Sequence, residues 1–423
     1  MTRRRSTARR PLRVGLFGLL GAGNIGNDAS MEAVLSYLRA DHPDAIVDAM
    51  CPGWERVKRE YGIEATPLWG RSYEQAPGVV AIGLKMLGKG SEGLGIVSWV
   101  RRHDVVIVPG MGVLEATLAL RPWETPYAMF MLSLSGRLFR TKVALVSVGA
   151  NVINQRLTQW MLNSAARLAH YRSYRDAGAR EAMRQRGLDV SGDHVYPDLV
   201  FGLPVPRHDP GDPQTVGVGV MAYYGGNDDR GRADEIYSSY VRNLKIFIRW
   251  LVDGGRSVRL LVGDGSDDSV VQEILDDLRT HRPDLDSGRV VAEPVFSFAD
   301  LVRAMAPVGT VVATRYHNVM CALKLSKPTI SIGYAAKNRA LMADAGLSEF
   351  CQDVKSLDVD LLIKQFTELQ ERSAELKPPI EKSCETQAAR VGQQFADLSA
   401  VLFPPAEAVL TAPVDKQLAG GNR

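Results

Sequence analysis

The stretch VVATRYHNVMCALKLSKPTISIGY, residues 311–334, contains two apolar runs separated by a segment with a helical pattern. Both runs are rich in β-branched residues, which favour strands, and the segment between them has the length of one short helix. Two parallel strands need a crossover of this kind, so the stretch predicts a βαβ unit. We expect strands over 310–316 and 328–334, joined by a helix over 318–325.

The same alternation extends in both directions along the chain. Each apolar run is hydrophobic on both faces, as strands are when helices cover both sides of a parallel sheet, and this predicts an α/β fold. The other predicted strands are 12–18, 45–50, 104–110, 142–149, 171–176, 216–223, 257–265 and 289–294. The other predicted helices are 29–40, 124–138, 155–169, 177–186, 233–253, 267–281 and 298–306.

A proline-rich segment divides this series in two. Residues 195–215 contain five prolines, which is typical of a linker. We therefore predict two Rossmann-like domains whose parallel sheets face a cleft, followed by C-terminal helices that break at Pro378-Pro379. Their predicted bounds are 12–204, 205–350 and 351–405, with a basic disordered tail over 1–11 and a flexible tail over 406–423.

Composition excludes several classes of function. The chain has 423 residues, 45% of them hydrophobic, and a net charge of +3 that is concentrated in its arginine-rich first thirteen residues. The remainder is slightly acidic, which does not favour a nucleic-acid partner. The four cysteines are scattered without a Cys-x-x-Cys pair, so we expect no metal site, no disulfide framework and a cytoplasmic location.

The glycine-rich segment GLLGAGNIGNDAS, residues 18–30, fits the G-x-G-x-x-G pattern of dinucleotide-binding loops. However, the pattern begins several residues after the strand, and polar residues follow its last glycine, which is unusual for NAD binding. Asp28 or Ser30 is predicted to cap the next helix. Two interpretations remain: the loop is a structural turn, or its N–H groups face an anion or another polar ligand.

The carboxyl ends of strands supply candidate functional residues, because ligands of doubly wound sheets bind there. Arg315 and His317 follow a buried strand directly. A guanidinium binds a carboxylate or phosphate through two parallel hydrogen bonds, and an imidazole transfers protons near neutral pH. The alternative is a helix-capping histidine next to a surface arginine.

Three further loops follow predicted strands. Arg175-Asp176 could bind an anion through the arginine. The alternative is that Asp176 caps the next helix and Arg175 forms an ordinary ion pair. Gly263 and Gly265 belong to a candidate anion-cradling loop. Glu115, in the segment PGMGVLEA, is a candidate base or part of a plain turn.

Together these segments resemble the polysaccharide pyruvyl transferase family over most of residues 14–350. The resemblance rests on GAGNIGND, DVVIVPGMG, SYRDAGAREAMRQRG, VYPDLVF and above all TRYHNVMCALKLSKPTISIGYAAKNRALMADAGL. Two departures are Pro-Gly-Met-Gly in place of the usual glycine triplet, and Asn27-Asp28 in place of the commoner Asp-Glu.

The resemblance implies a GT-B-like fold and an enzyme that moves a pyruvyl group from phosphoenolpyruvate onto two hydroxyls of one sugar, forming a ketal and releasing phosphate. No cofactor or metal is expected beyond phosphoenolpyruvate as co-substrate. His317 would be the general acid, with Asp28 or Glu115 accepting the acceptor's proton. The donor, on the side of the second domain, would be bound by Arg175 of the first domain together with Arg315, His317, Lys337, Gly263 and Gly265. The first would bind the acceptor through Asn24, Gly26, Asp28 and Glu115.

The alternatives are a nucleotide-sugar glycosyltransferase on the same fold, an NAD enzyme, and a non-catalytic homologue that binds glycans or anions. The acceptor implied by the resemblance is a sugar of a glycolipid or polysaccharide precursor. Residues 76–100, an apolar run broken by glycines, and the basic tail suggest a peripheral contact with the inner membrane surface. The alternative for 76–100 is an ordinary pair of core helices.

Overall fold

The computed structural model of the protein describes residues 10–68, 78–115, 122–206, 210–286 and 288–403. Most of the predicted basic tail and all of the predicted tail 406–423 lie outside these residues.

The first lobe is built on a parallel sheet of seven strands in the order β3-β2-β1-β4-β5-β6-β7. Its strands are β1 (Arg13–Phe17), β2 (Ile46–Cys51), β3 (Glu64–Pro67), β4 (Val105–Pro109), β5 (Lys142–Val148), β6 (Tyr171–Tyr174) and β7 (His194–Val195). Its helices are α1 (Ile25–Asp41), α2 (Trp54–Tyr61), α3 (Gly78–Val100), α4 (Thr125–Phe139), α5 (Arg156–Leu168) and α6 (Ala177–Gln185).

The second lobe repeats this plan with six parallel strands in the order β10-β9-β8-β11-β12-β13. These are β8 (Asp212–Gly219), β9 (Ser257–Leu261), β10 (Val290–Ala292), β11 (Val308–Ala313), β12 (Thr329–Gly333) and β13 (Cys351–Asp353). The helices are α7 (Ala233–Asp253), α8 (Asp268–His281), α9 (Phe298–Met305), α10 (Tyr316–Lys324) and α11 (Ala336–Asp344), followed by α12 (Val359–Glu371) and α13 (Ser373–Leu402).

Both sheets have the doubly wound order in which the chain reverses direction beside the first strand of each lobe. The crevice of such a sheet opens at this reversal, outside the carboxyl ends of the strands. In the first lobe it lies between β1 and β4, and in the second between β8 and β11. The predicted fold class is therefore confirmed: two Rossmann-like lobes with parallel sheets facing a cleft, and C-terminal helices.

Three strands were not predicted, namely β3, β7 and β13. All three lie at the edge of a sheet and have two to four residues. Exposed or half-buried residues interrupt their apolar pattern, so the signal of a buried strand is missing. The predicted cap of α1 is wrong as well. Asn24 caps this helix, because its side-chain oxygen accepts the Asn27 N–H at 3.2 Å.

The break predicted at Pro378-Pro379 is also wrong, since α13 continues through both prolines and the interruption lies at Arg372. The prolines stand in the second turn of α13, between the buried side chains of Leu376 and Ile380. This packing offsets the hydrogen bonds that two prolines remove from a helix.

Helix α13 returns to the first lobe after α12 has packed on the second. The buried amide of Gln394 donates to the hydroxyls of Ser147 and Ser173, both at 2.8 Å, behind β5 and β6. The C-terminal helices therefore connect the two lobes. Among the described residues, no helix is both long and apolar enough to span a bilayer.

Candidate functional site

The glycine-rich loop after β1 touches the other lobe. The N–H of Ile25 donates to the carbonyl of Gly263 at 3.4 Å, and Asn24 forms an isolated antiparallel bridge with Asp264. The Asn24 amide also donates to the Asp264 carboxylate at 3.4 Å. The loop therefore contributes to the contact between the lobes, which differs from the way a dinucleotide-binding loop uses its backbone.

His317 crosses the cleft to the same loop. It is the second residue of α10, and its imidazole lies directly against Gly26 in the first turn of α1. A Cβ at position 26 would stand 1.8 Å from Cε1 of His317 and 2.1 Å from both ring nitrogens. The absence of a side chain at Gly26 is what allows the imidazole to reach the first lobe.

A buried carboxylate lies next to this imidazole. Asp198 follows β7, and its Oδ2 lies 3.8 Å from Nε2 of His317. Neither atom has a hydrogen-bond partner among the described residues, and the same is true of Nε of Arg175. Buried polar atoms are almost always paired, so three unpaired atoms in one cluster indicate a place for a polar ligand or water.

Arg175, at the end of β6, forms an ion pair with Glu115 through its Nη2. Both side chains pack on Gly149, where a Cβ would lie 2.1 Å from Oε1 of Glu115 and 2.5 Å from Nη2 of Arg175. Burial alone would raise the pKa of Glu115, but Arg175 and then Lys337 lower it below its ordinary value. A carboxylate with a lowered pKa is a weak base, which argues against the predicted role of Glu115 in proton transfer.

Arg315 is held by an aspartate that was not among the sequence candidates. Its Nε and Nη2 donate to the two carboxylate oxygens of Asp267 at 2.9 and 2.6 Å, and Asp267 is fully buried. Nη2 also donates to Ser266 at 3.3 Å. The edge of the guanidinium that the sequence suggested for a ligand is therefore already used by the protein, and Nη1 is the nitrogen that remains available.

The loop of Gly263 and Gly265 does not form the predicted anion cradle. The N–H of Gly263 donates to Asp267 at 3.3 Å, and the N–H of Ser266 donates to Asp264 at 3.1 Å. These donors are satisfied by the loop's own carboxylates. Gly263 instead supports Arg315, since a Cβ there would stand 3.1 Å from its Cγ, whereas Gly265 has open space beside it.

Lys337 completes the cluster from the start of α11. Its ammonium lies 5.3 Å from the ring centroids of both Tyr316 and Tyr334, within the range of a cation–π contact. Arg175 lies 5.9 Å from the ring of Tyr316 on another side. We refer to Arg175, Arg315 and Lys337 as the cationic cluster.

This cluster controls the imidazole that it surrounds. Burial, and after it the positive charges of Lys337, Arg175 and Arg315, lowers the pKa of His317 to about 3. The histidine is therefore neutral at physiological pH when no anion is bound. An anionic ligand would counter those three charges and so favour the protonated form.

Asp28 lies on the other side of the glycine-rich loop and is almost fully buried. Its Oδ1 accepts the N–H of Gly21 at 2.6 Å, and its Oδ2 lies 3.6 Å from Nη1 of Arg56. Burial raises the pKa of Asp28 to about 6, against the opposing effects of Gly21 and Arg56. These contacts make Asp28 a residue that positions the loop, and its role as a base stays a prediction.

Asp198 and Asp267 are the residues that sequence reasoning missed. The first lies within the segment VYPDLVF and the second four residues after Gly263. Asp198 is an isolated acidic residue and Asp267 is one of three aspartates in the segment GDGSDDS, and only the fold shows that each faces a cationic or imidazole group. No group of three or more histidines, cysteines and acidic residues that could hold a metal ion occurs in the part of the chain that the structure describes.

Comparison with known proteins bears on what this cluster does. The sequence model of polysaccharide pyruvyl transferases matches residues 24–335, which include every residue of the cluster except Lys337. The chain belongs to the polysaccharide pyruvyl transferase family. No curated protein was found to match this family member in sequence.

Solved structures similar to this family member are GT-B sugar enzymes. A putative UDP-N-acetylglucosamine 2-epimerase from Listeria monocytogenes has a TM-score of 0.64 at 13% identity, with 94% of this chain and 98% of that chain covered. UDP-GlcNAc 2-epimerase from Neisseria meningitidis, bound to UDP-GlcNAc, has a TM-score of 0.57 at 13% identity and coverages of 93% and 100%. The lipopolysaccharide outer core galactosyltransferase WaaB has a TM-score of 0.56 at 13% identity, with 93% of this chain and 99% of that chain covered. At such identities the likeness shows the fold alone.

Proposed function

We propose that this protein transfers the pyruvyl group of phosphoenolpyruvate onto two hydroxyls of one sugar, forming a ketal and releasing phosphate. The observation that carries the proposal is the cationic cluster around a neutral, partly unpaired imidazole at the junction of the lobes. Membership of the polysaccharide pyruvyl transferase family supports the same reaction class.

The charges of the cluster suit this donor. Phosphoenolpyruvate carries a carboxylate and a phosphate on the same carbon, with up to three negative charges. Arg175, Arg315 and Lys337 supply three positive charges around His317. Among the described residues, Nε of Arg175 makes no hydrogen bond and lies 3.8 Å from Asp176, and the hydrogen bonds of Arg315 to Asp267 use its Nε and Nη2 and leave Nη1 for a ligand. The donor would bind to these groups.

His317 would supply the proton that starts the reaction. When the trianionic donor offsets the cationic cluster, the pKa of the imidazole rises and the ring takes up a proton. Transfer of that proton to the methylene carbon makes a methyl group and leaves the adjacent carbon electron-poor. A sugar hydroxyl attacks this carbon and loses its own proton. The C–O bond to phosphate breaks, and the second hydroxyl then closes the ketal ring while its proton passes to the released phosphate.

The acceptor would lie against the first lobe, which presents the glycine-rich loop to the cleft. A sugar of a cell-surface glycan, or of the glycolipid from which such a glycan is built, fits the family. Holding the two substrates together in the cleft would account for a large part of the rate, up to roughly 7–11 kcal/mol for well-oriented reactants.

A second candidate function is glycosyl transfer from a nucleotide-sugar. It is favoured by the fold, since two of the similar structures named above are described as acting on or binding UDP-sugars. The two functions differ in the donor, and thermal denaturation distinguishes them. Phosphoenolpyruvate raises the Tm in the first case, and a UDP-sugar raises it in the second.

The direct experiment combines the protein, phosphoenolpyruvate and a panel of sugar acceptors, and measures phosphate and acid-labile ketal. We expect both products in equal amounts, and none with His317→Ala or Arg315→Ala at unchanged circular dichroism. Arg279→Ala, at an exposed ion pair of α8, is the control and retains activity. Normal turnover in the His317 and Arg315 variants would disprove the proposed site.

A further inference from the structure

The outer face of α4 and α5 on the first lobe has an unusual composition. Residues 125–175 contain no aspartate or glutamate, although the chain has 48 of them, and they contain seven lysines and arginines. This segment includes all of α4 and α5. Four of these cations belong to the two helices or follow them directly: Arg137, Arg140, Arg156 and Arg167; the other three lie in or after β5 and β6. The two helices therefore carry positive charge and no negative charge.

The solvent side of α4 is apolar as well. Met129 and Leu132 are buried in the core, whereas Tyr127, Phe130 and Leu134, spaced three or four residues apart, are half-buried, and Leu138, four residues further on, is exposed. A surface helix normally places polar residues on that side. Leu138 is 67% exposed, so this helix presents hydrophobic residues to both sides.

Neighbouring helices extend the apolar surface. Trp160 of α5 is 53% exposed, and its ring lies 5.1 Å from that of Phe130. On the other side, the hydroxyl of Tyr127 donates to the carbonyl of Lys89 at 3.2 Å, which joins α4 to α3 and its exposed Leu94. Of the twelve large hydrophobic side chains exposed in the described part of the chain, seven lie between residues 94 and 160. An apolar surface this concentrated marks an interaction site.

Arginines lie along the edges of this surface. Arg140 follows the last turn of α4, and Arg156 begins α5 next to the exposed Leu157; both are exposed. The guanidinium of Arg101 lies 5.0 Å from the ring centroid of Phe139. On α4 and α5 these aromatic and aliphatic groups lie beside arginines with no acidic residue, and Glu92 of the flanking α3 is ion-paired with Lys89. Such a surface is complementary to one that is apolar inside and negatively charged outside.

We propose that the α4–α5 face docks on an anionic lipid bilayer. Trp160, Phe130 and Leu138 would enter the boundary between headgroups and acyl chains, and the arginines would contact the headgroup phosphates. This face differs from the segment 76–100 that the sequence suggested, although α3 flanks it. The inference is independent of the pyruvyl transfer, since docking requires neither donor nor turnover.

Flotation of the full chain with vesicles tests the proposal. We expect binding to vesicles with 30% phosphatidylglycerol, about the anionic fraction used for such assays, and little binding to pure phosphatidylcholine. Arg140→Gln and Arg156→Gln should each weaken binding about fivefold. Leu138→Glu and Trp160→Glu should abolish it, because each buries a carboxylate at the lipid boundary. Leu361→Glu, at an exposed leucine of α12, is the matched control and should bind as the unmodified protein does.

Three results would overturn the inference. One is no flotation of the unmodified protein at low salt. Another is flotation that survives both glutamate substitutions, which would assign membrane contact to other residues. The third is a dimer in analytical ultracentrifugation that Leu138→Glu dissociates, which would make the face an interface between copies. Activity on a water-soluble acceptor, measured in parallel, should be unchanged in all these variants, so a failure here is distinguishable from a failure of the proposed chemistry.

Discussion

The imidazole of His317 occupies the space that a side chain at Gly26 would need, so the two residues join the lobes at a point where nothing larger than glycine fits. One belongs to the first turn of α1 and the other to the first turn of α10. Both helices begin at the carboxyl ends of central strands, as the doubly wound order requires. The distance between the lobes at the candidate site is therefore set by this contact.

Gly26→Ala should lower the activity of the protein while leaving its fold intact. The added methyl group would displace the imidazole by about 1 Å or more, and a displacement of that size costs about 10²-fold in rate for a group that must be oriented. We expect kcat/KM for phosphoenolpyruvate to fall by about two orders of magnitude with little change in Tm. Gly95→Ala is the control, since this glycine of α3 has open space beside it. Equal activity of the two variants would show that the imidazole position is unimportant.

Binding of phosphoenolpyruvate should take up a proton from solution at pH 7.5. His317 has a pKa of about 3 in the free protein, so it is neutral there. The bound anion raises that pKa, and protons are taken up at every pH between the free and the bound value. Calorimetric titration in two buffers with different ionisation enthalpies measures the number of protons, and we expect up to one.

His317→Gln supplies the comparison for this measurement. Glutamine keeps a polar side chain between the two lobes but does not titrate. The enthalpy of phosphoenolpyruvate binding to this variant should therefore depend less on the buffer. Identical proton uptake in the variant and the unmodified protein would assign the proton to another group, with the raised pKa of Asp198 making it the next candidate.

Much of the fold was predictable, and the reasons are local. Strands such as Val105–Pro109 are fully buried and apolar, and helices such as Ala233–Asp253 have a regular periodicity. The edge strands β3, β7 and β13 lack this signal because they are short and partly exposed. The helix break predicted from the two prolines of α13 was wrong, because the tertiary packing of Leu376 and Ile380 overrides the usual helix-breaking effect of proline.

The candidate site was predictable only in part. Arg315, His317, Arg175, Glu115 and Lys337 do come together. Their partnerships, however, depend on residues far away in sequence: Asp267 is 48 positions from Arg315, and Asp198 is 119 positions from His317. A sequence pattern shows which side chains follow a strand. It does not show which of their atoms are already hydrogen-bonded within the protein.

Removing the charge of Glu115 should destabilise the free protein and strengthen its response to anions. In Glu115→Gln the buried guanidinium of Arg175 loses its hydrogen-bonded counter-ion and keeps only the more distant charges of Asp198 and Asp176. We expect this to cost about 2–3 kcal/mol of unfolding free energy. Phosphate or phosphoenolpyruvate would replace the lost charge, so either should raise the Tm of the variant by more than it raises that of the unmodified protein. Differential scanning fluorimetry against anion concentration measures both effects.

Glu181→Gln is the matched control for this substitution. Its ion pair with Arg184 lies on the surface of α6, with both side chains exposed, so water replaces the lost partner. We expect no resolvable change in Tm and an unchanged response to anions. If Glu115→Gln behaved in the same way, Arg175 would not depend on Glu115 for its charge balance.

Gln394 should be required for the C-terminal helix to hold the first lobe. Its amide is fully buried and pairs with the hydroxyls of Ser147 and Ser173, and Ser147 itself has a left-handed backbone with φ of 48°. Gln394→Met keeps the length of the side chain but removes these hydrogen bonds, at a cost of about 0.5–1.5 kcal/mol for each. The cost is not larger because Ser147 still donates to the Pro197 carbonyl and Ser173 still accepts the Ser147 N–H. Gln393→Met changes the adjacent exposed position, where the amide donates to Asp397 on the same helix, and should be neutral. Urea denaturation compares the two variants, and limited proteolysis should release α13 sooner from Gln394→Met. Equal midpoints and equal cleavage rates would show that the apolar contacts of α13 suffice to join the lobes.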